Sequence, residues 1–101
     1  MLAFKELTIY FDPTRGIKQR EMATAVFSRD IRTAQAVLKG FNIKYSDGDH
    51  HILAQEIDLD TQSNGTKAVN VYADFLLRDS SGNIDDRFEG WVQCVVIADL
   101  V

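Results

Sequence analysis

The feature that most constrains this chain is a strict two-residue alternation in its second half. From Lys67 to Arg78, Val69, Val71, Ala73, Phe75 and Leu77 share one parity, while Asn70, Asp74 and Arg78 share the other. Successive side chains of a β-strand point to opposite faces, so this run is a strand with one dry side and one wet side. Tyr72 and Leu76 are apolar interruptions on the wet side. His51 to Asp60 repeats the pattern, with Leu53, Ile57 and Leu59 opposite Glu56, Asp58 and Asp60. Near the start, Leu7, Ile9 and Phe11 alternate before Asp12-Pro13-Thr14-Arg15-Gly16, which reads as a loop. Three glycine turns, Ser46-Asp47-Gly48-Asp49, Ser63-Asn64-Gly65-Thr66 and Ser80-Ser81-Gly82-Asn83, separate the later segments and predict a meander of hairpins.

The last segment breaks the wet-and-dry rule. Phe88, Val92, Cys94, Val96 and Ala98 share one parity, and Trp91, Val95 and Ile97 share the other, so both faces are apolar. A strand in a two-layer sandwich leaves its outer face to water unless something covers it. The cover is either a helix of the same chain or another protomer. The second is favoured, which makes Trp91, Val95 and Ile97 the expected subunit interface.

Residues 20 to 39 admit two readings. Ala23, Val26, Phe27, Ile31, Ala34, Val37 and Leu38 recur at helical spacing, and Gly40 stands where a helix would be capped. As strands, the same stretch puts Ala23, Ala25 and Phe27 in phase, then Ala34, Ala36 and Leu38. A parity switch at Lys39-Gly40, a bulge, leads to Phe41, Ile43 and Tyr45. The other strands need partners in a second sheet, so the strand reading is preferred. The expected fold is all-β, a six-stranded antiparallel β-sandwich in a single domain over 1–101. The alternative is an α+β fold with a helix at about 20–39.

Composition narrows the function. With Lys plus Arg at 11, Asp plus Glu at 15 and a net charge of −4, and with basic residues scattered singly, the chain has no electrostatic footprint for nucleic acid. No apolar run is long enough for a membrane span, and the first residues lack the pattern of a secretory signal. The expected location is therefore the cytoplasm, or release without a signal peptide as part of a particle. A single cysteine, Cys94, makes no internal disulfide, and its parity buries it among valines where a thiol is inert. No nucleophile elbow, phosphate-binding glycine loop or zinc-binding histidine pair occurs. The chain is expected to bind rather than catalyse.

Two loops concentrate polar ligands. Asp79-Ser80-Ser81-Gly82-Asn83-Ile84-Asp85-Asp86 offers the hard oxygen atoms that calcium selects, with Asp79, Asn83 and Asp85 as candidate ligands. The preferred reading of the same residues is a hairpin turn in which Asp and Asn bond their own backbone. Asp47-Gly48-Asp49-His50-His51 presents imidazoles, but neighbours on a strand point to opposite faces, so the two histidines do not converge. No cofactor is required by either loop, and calcium is the one that fits. For a sugar ligand, Trp91 is the candidate stacking ring, with Asp47, Asp49, His50, Asn83, Asp85 and Asp86 as candidates for the hydroxyls.

Val26-Phe27, Ala34 to Leu38, Gly40-Phe41, Trp91 and the closing Val95-Val96-Ile97-Ala98 together resemble the H-type lectin domain, over about residues 20 to 101. The resemblance implies a six-stranded antiparallel sandwich, assembly as a homotrimer and carbohydrate bound in clefts between protomers. That is a lectin-like module whose weak single sites gain avidity by repetition. The alternative that the same residues support is a structural or assembly subunit, such as a tip, fibre or decoration protein of a phage-tail-like particle or toxin complex. The expected partners are thus the chain itself and either a glycan or another protein.

Overall fold

Every regular element in the computed structural model, which describes residues 1–14, 17–46, 52–79 and 86–101, is a strand. In chain order these are β1 (Leu2–Thr14), β2 (Gln19–Val26), β3 (Ile31–Tyr45), β4 (Ile52–Asn64), β5 (Ala68–Asp79) and β6 (Phe88–Leu100). They form two three-stranded antiparallel sheets, ordered β1-β6-β3 and β2-β5-β4, and the sheets stack as a sandwich. Among the described residues no helix is long and apolar enough to cross a membrane.

The alternation in the sequence becomes the core. β6 buries Phe88, Val92, Cys94, Val96, Ala98 and Leu100, and β5 meets them with Val69, Val71, Ala73, Phe75 and Leu77. Phe75 lies between two rings, stacked on Phe11 at 4.3 Å and on Phe88 at 5.9 Å, so one side chain joins both sheets. Gln19, the one buried polar side chain among the described residues, donates from Nε2 to the Phe88 carbonyl at 3.0 Å and so carries no unmet polar cost. Burial pushes the Cys94 thiol above its ordinary range, which keeps it protonated and unreactive. Leu76 is buried too, at 1% exposure, although its parity is that of the outer face.

Residues 20 to 39 are strands, not a helix. Ala23 and Ala25 pair with Val71 and Val69 along β2, and the expected bulge appears in β3 as a register shift between Leu38 and Gly40. Before it Ala34, Ala36 and Leu38 face Ala98, Val96 and Cys94, and after it Phe41, Ile43 and Tyr45 face Val92, Gly90 and Phe88. Small alanines let the pattern satisfy both periods, and pairing with the apolar β5 and β6 decides between them.

Two expectations need correction. Of the three glycine turns only that at Asn64–Ala68 closes a hairpin, with Gly65 at a φ of 73°, where a side chain would be strained. β3 and β4 lie in different sheets, as do β5 and β6, so the connections between them cross the sandwich instead of forming a meander. The second correction concerns Asp12-Pro13-Thr14, which belongs to β1 and not to a loop. Pro13 is tolerated because β1 is an edge strand whose register shifts between Phe11 and Thr14, so no ladder donor is lost.

The long strands give extents of 49 × 20 × 17 Å and a radius of gyration of 15.6 Å. A compact chain of this length has about 13 Å. The sandwich is therefore narrow, and each sheet exposes long edges relative to its interior.

Candidate functional site

Register places the second parity of β6 at the centre of an outward face. Five rows cross it: Leu2–Asp99–Thr33, Phe4–Ile97–Gln35, Glu6–Val95–Val37, Thr8–Gln93–Gly40 and Tyr10–Trp91–Asn42. Leu2, Phe4 and Tyr10 are 62%, 63% and 70% exposed, and Trp91, Val95 and Ile97 are half-buried between the flanking strands. Among the described residues, nothing from the same chain covers them.

An ion pair divides this face. Lys39, displaced at the bulge of β3, reaches across β6 to Glu6 on β1, with Nζ 2.7 Å from Oε2. On one side lie Leu2, Phe4, Val37, Val95 and Ile97, an apolar surface closed at its end by the N-terminal ammonium on Asp99 at 3.1 Å. On the other side Tyr10 and Trp91 are cross-strand neighbours, flanked by Asn42, Gln93 and Thr8. Flat rings beside amide and hydroxyl groups suit a ligand with one apolar face and a hydroxylated rim.

The strand that carries Trp91 comes unusually close to β3. Gly90 has a φ of 153°, and a Cβ there would overlap the Asn42 carbonyl oxygen. A glycine at 90 thus lets Asn42 and Trp91 stand side by side.

The opposite outer face, on β2-β5-β4, is charged. Asp58, Asp60 and Asp74 bring carboxylate oxygens within 4.8 Å of one another. The set has the chemistry to hold a hard cation, but Arg20 already sits there, with Nη1 2.7 Å from Asp74 and 3.7 Å from Asp60. Its hydrogen bond to Asp74 raises the Arg20 pKa above the ordinary range, and the guanidinium lies over the Tyr72 ring at 4.7 Å. Lys18 pairs with Glu56 at 2.9 Å, and that hydrogen bond raises its pKa. Thr24, Asn64 and Asn70 form a hydrogen-bonded row beside them.

The sequence-derived candidates distribute unevenly over this structure. Trp91, Val95 and Ile97 share one face, as their parity requires. Asp86 is half-buried just before β6. Asp47, Asp49, His50, Asn83 and Asp85 lie outside the described residues, as does the side chain of Asp79 at the end of β5. Leu2, Phe4, Tyr10, Val37 and Asn42 were not legible as site residues. Their signal is the second parity of β1, Leu2-Phe4-Glu6-Thr8-Tyr10, which Glu6 and Thr8 interrupt.

Comparison with family models, with curated proteins and with solved structures finds no match to this chain.

Proposed function

We propose that the chain is a non-catalytic, lectin-like carbohydrate-binding module that works as a homo-oligomer. The observation that carries this reading is the Tyr10–Trp91–Asn42 row, two adjacent aromatic rings bordered by amides and a hydroxyl on an open face. A pyranose stacks its C–H face on such rings and directs its hydroxyls to Asn42, Gln93 and Thr8. Shallow sites of this kind bind weakly, and repeating them in an oligomer supplies avidity. The trimer implied by the lectin resemblance is one such arrangement. Asp79, Asn83 and Asp85 are the proposed calcium ligands.

A glycan array with purified protein, run with and without calcium and alongside its mass by light scattering, tests the reading. Selective binding that Trp91→Ala abolishes is the expected result. Binding unchanged in Trp91→Ala removes the stacking role, and a calcium-independent signal removes the metal.

A second reading is favoured by the other half of the same face. Leu2, Phe4, Val37, Val95 and Ile97 form a surface larger than one sugar needs, and it suits an assembly subunit of a particle. Silence on the array from a well-formed oligomer selects this reading.

A further inference from the structure

The sandwich has two long seams, where the edge strands of one sheet face those of the other, and they differ. At the β1–β2 seam the inward parity carries charges: Lys5 pairs with Val96 and Glu21 with Ala73, both exposed at the rim, and Pro13 sits in β1. Inward charges and proline on an edge strand prevent another strand from adding to it.

The β3–β4 seam has neither device. Its inward parity holds no charge: alanines, Leu38, Phe41 and Ile43 on β3, and Gln55, Ile57, Leu59, Thr61 and Ser63 on β4. Leu38 and Phe41 lie on the inward parity yet are 45% and 44% exposed. A cleft of about 330 Å³ opens between Gln35-Ala36 and Leu59-Asp60-Thr61, and a second of about 140 Å³ continues it toward Ile31 and Val69. The Ile31 amide donates to the Thr66 carbonyl at 2.8 Å, so β3 begins where β4 ends and the two run in opposite directions.

Charge is segregated along the same two edges. β3 carries Arg32, Lys39 and Lys44 and no acid, while β4 carries Glu56, Asp58 and Asp60 and no base. Lys44 lies on the outer parity, as do all three acids, and Arg32 and Lys39 sit at the two bulges. Part of this charge is met within the chain, by Glu6, Glu89, Lys18 and Arg20 across exposed pairs. Arg32 and Asp58 make no ion pair among the described residues.

From these observations we propose that a second copy of this chain docks seam to seam, the basic β3 edge of each copy pairing with the acidic β4 edge of the other. A twofold axis parallel to the strands makes this contact. It sets β3 antiparallel to the partner's β4, continues each sheet into the partner's other sheet, and closes Leu38 and Phe41 against the partner's inward face. A twofold axis perpendicular to the sheets would instead set β3 on β3 and β4 on β4, opposing like charges. The charge pattern selects the first axis. The inference rests on the homo-oligomeric part of the proposed function and stands independently of any sugar.

The test uses two charge-reversed chains, one with Arg32→Glu, Lys39→Glu and Lys44→Glu, the other with Glu56→Lys, Asp58→Lys and Asp60→Lys. Each alone is expected to dissociate, its dimer weakened at least about tenfold, since each reversed cross-strand pair turns a gain into a cost of similar size. Mixed in equal amounts, they are expected to recover a heterodimer, read by native mass spectrometry. Raising ionic strength weakens the wild-type dimer, whereas association through an apolar face does not weaken with salt. An oligomer indifferent to both the reversal and salt, or a wild-type mass of three copies, overturns the seam pairing and leaves the homo-oligomeric reading intact. A wild-type monomer at all concentrations removes both.

Discussion

On the outer face of β2-β5-β4, Arg20 bonds Asp74 at 2.7 Å, Lys18 bonds Glu56 at 2.9 Å and Thr24 donates to Asn70 at 2.8 Å. On the outer face of β1-β6-β3, the corresponding rows hold Leu2, Phe4, Val37, Val95 and Ile97, with the Lys39–Glu6 ion pair crossing them and the Met1–Asp99 and Lys44–Glu89 pairs towards the two ends. Both faces come from the same alternation, and both back the same core. The difference lies in what the second parity was given. Most of the charges on the charged face are met by cross-strand neighbours, Asp58 excepted. The apolar face leaves large side chains solvated, and it is this surface that the proposed contacts would cover.

The largest perturbation removes the floor the two faces share. Phe75→Ala deletes a ring with 0% exposure that stacks on Phe11 and packs on Phe88, and is expected to destabilise the fold by about 3–5 kcal/mol in denaturant unfolding. Both outer faces should be lost in one cooperative transition. A change confined to one sheet would show that the sheets are stabilised separately.

Substituting one side chain from each outer face then separates the faces. Phe4 is 63% exposed on the apolar face and Met22 is 47% exposed on the charged one. Neither Phe4→Ser nor Met22→Ser is expected to change folding stability by more than about 0.5 kcal/mol, since neither leaves a cavity. Phe4→Ser is expected to reduce partner or particle binding, and Met22→Ser to leave it unchanged. Equal effects on binding would mean that exposure alone, not the face, sets the contact.

How much of this contrast was legible in the sequence depends on the strand. β5 and β6 were readable because a period of two over a dozen residues has no competing explanation. Phe88 to Ala98 also announced that the outer side of β6 was apolar. Residues 20 to 39 were ambiguous because Ala23, Ala34 and Ala36 fit a helical stripe as well as a strand face, and only pairing with the apolar β5, for Ala23, and β6, for Ala34 and Ala36, settles the matter. The crossings at β3–β4 and β5–β6 were not readable, since turn chemistry encodes a reversal of direction and not the sheet to which the chain returns. For the same reason the apolar face showed only its central strand. Leu2, Phe4 and Val37 join it through register with Ile97, Val95 and their neighbours, and register is a property of strand pairing, not of any one segment.

The smallest expected effect tests whether the charged face is finished rather than merely polar. Arg20 is about half-exposed, and its ion pairs are of the kind that add little to stability on their own. Its distinctive role is to stand among Asp58, Asp60 and Asp74, whose carboxylates lie within 4.8 Å of one another. Arg20→Gln keeps a hydrogen-bond donor but removes the cation, so the three acids repel one another across β4 and β5. Thermal melting should therefore fall slightly at low ionic strength and return to the wild-type value as salt screens the repulsion. The oligomer's mass should not change, because Arg20 belongs to neither the apolar face nor the uncharged lining of the β3–β4 seam. A melting temperature insensitive to both the substitution and salt would mean that the three carboxylates need no partner, and that water alone completes this face.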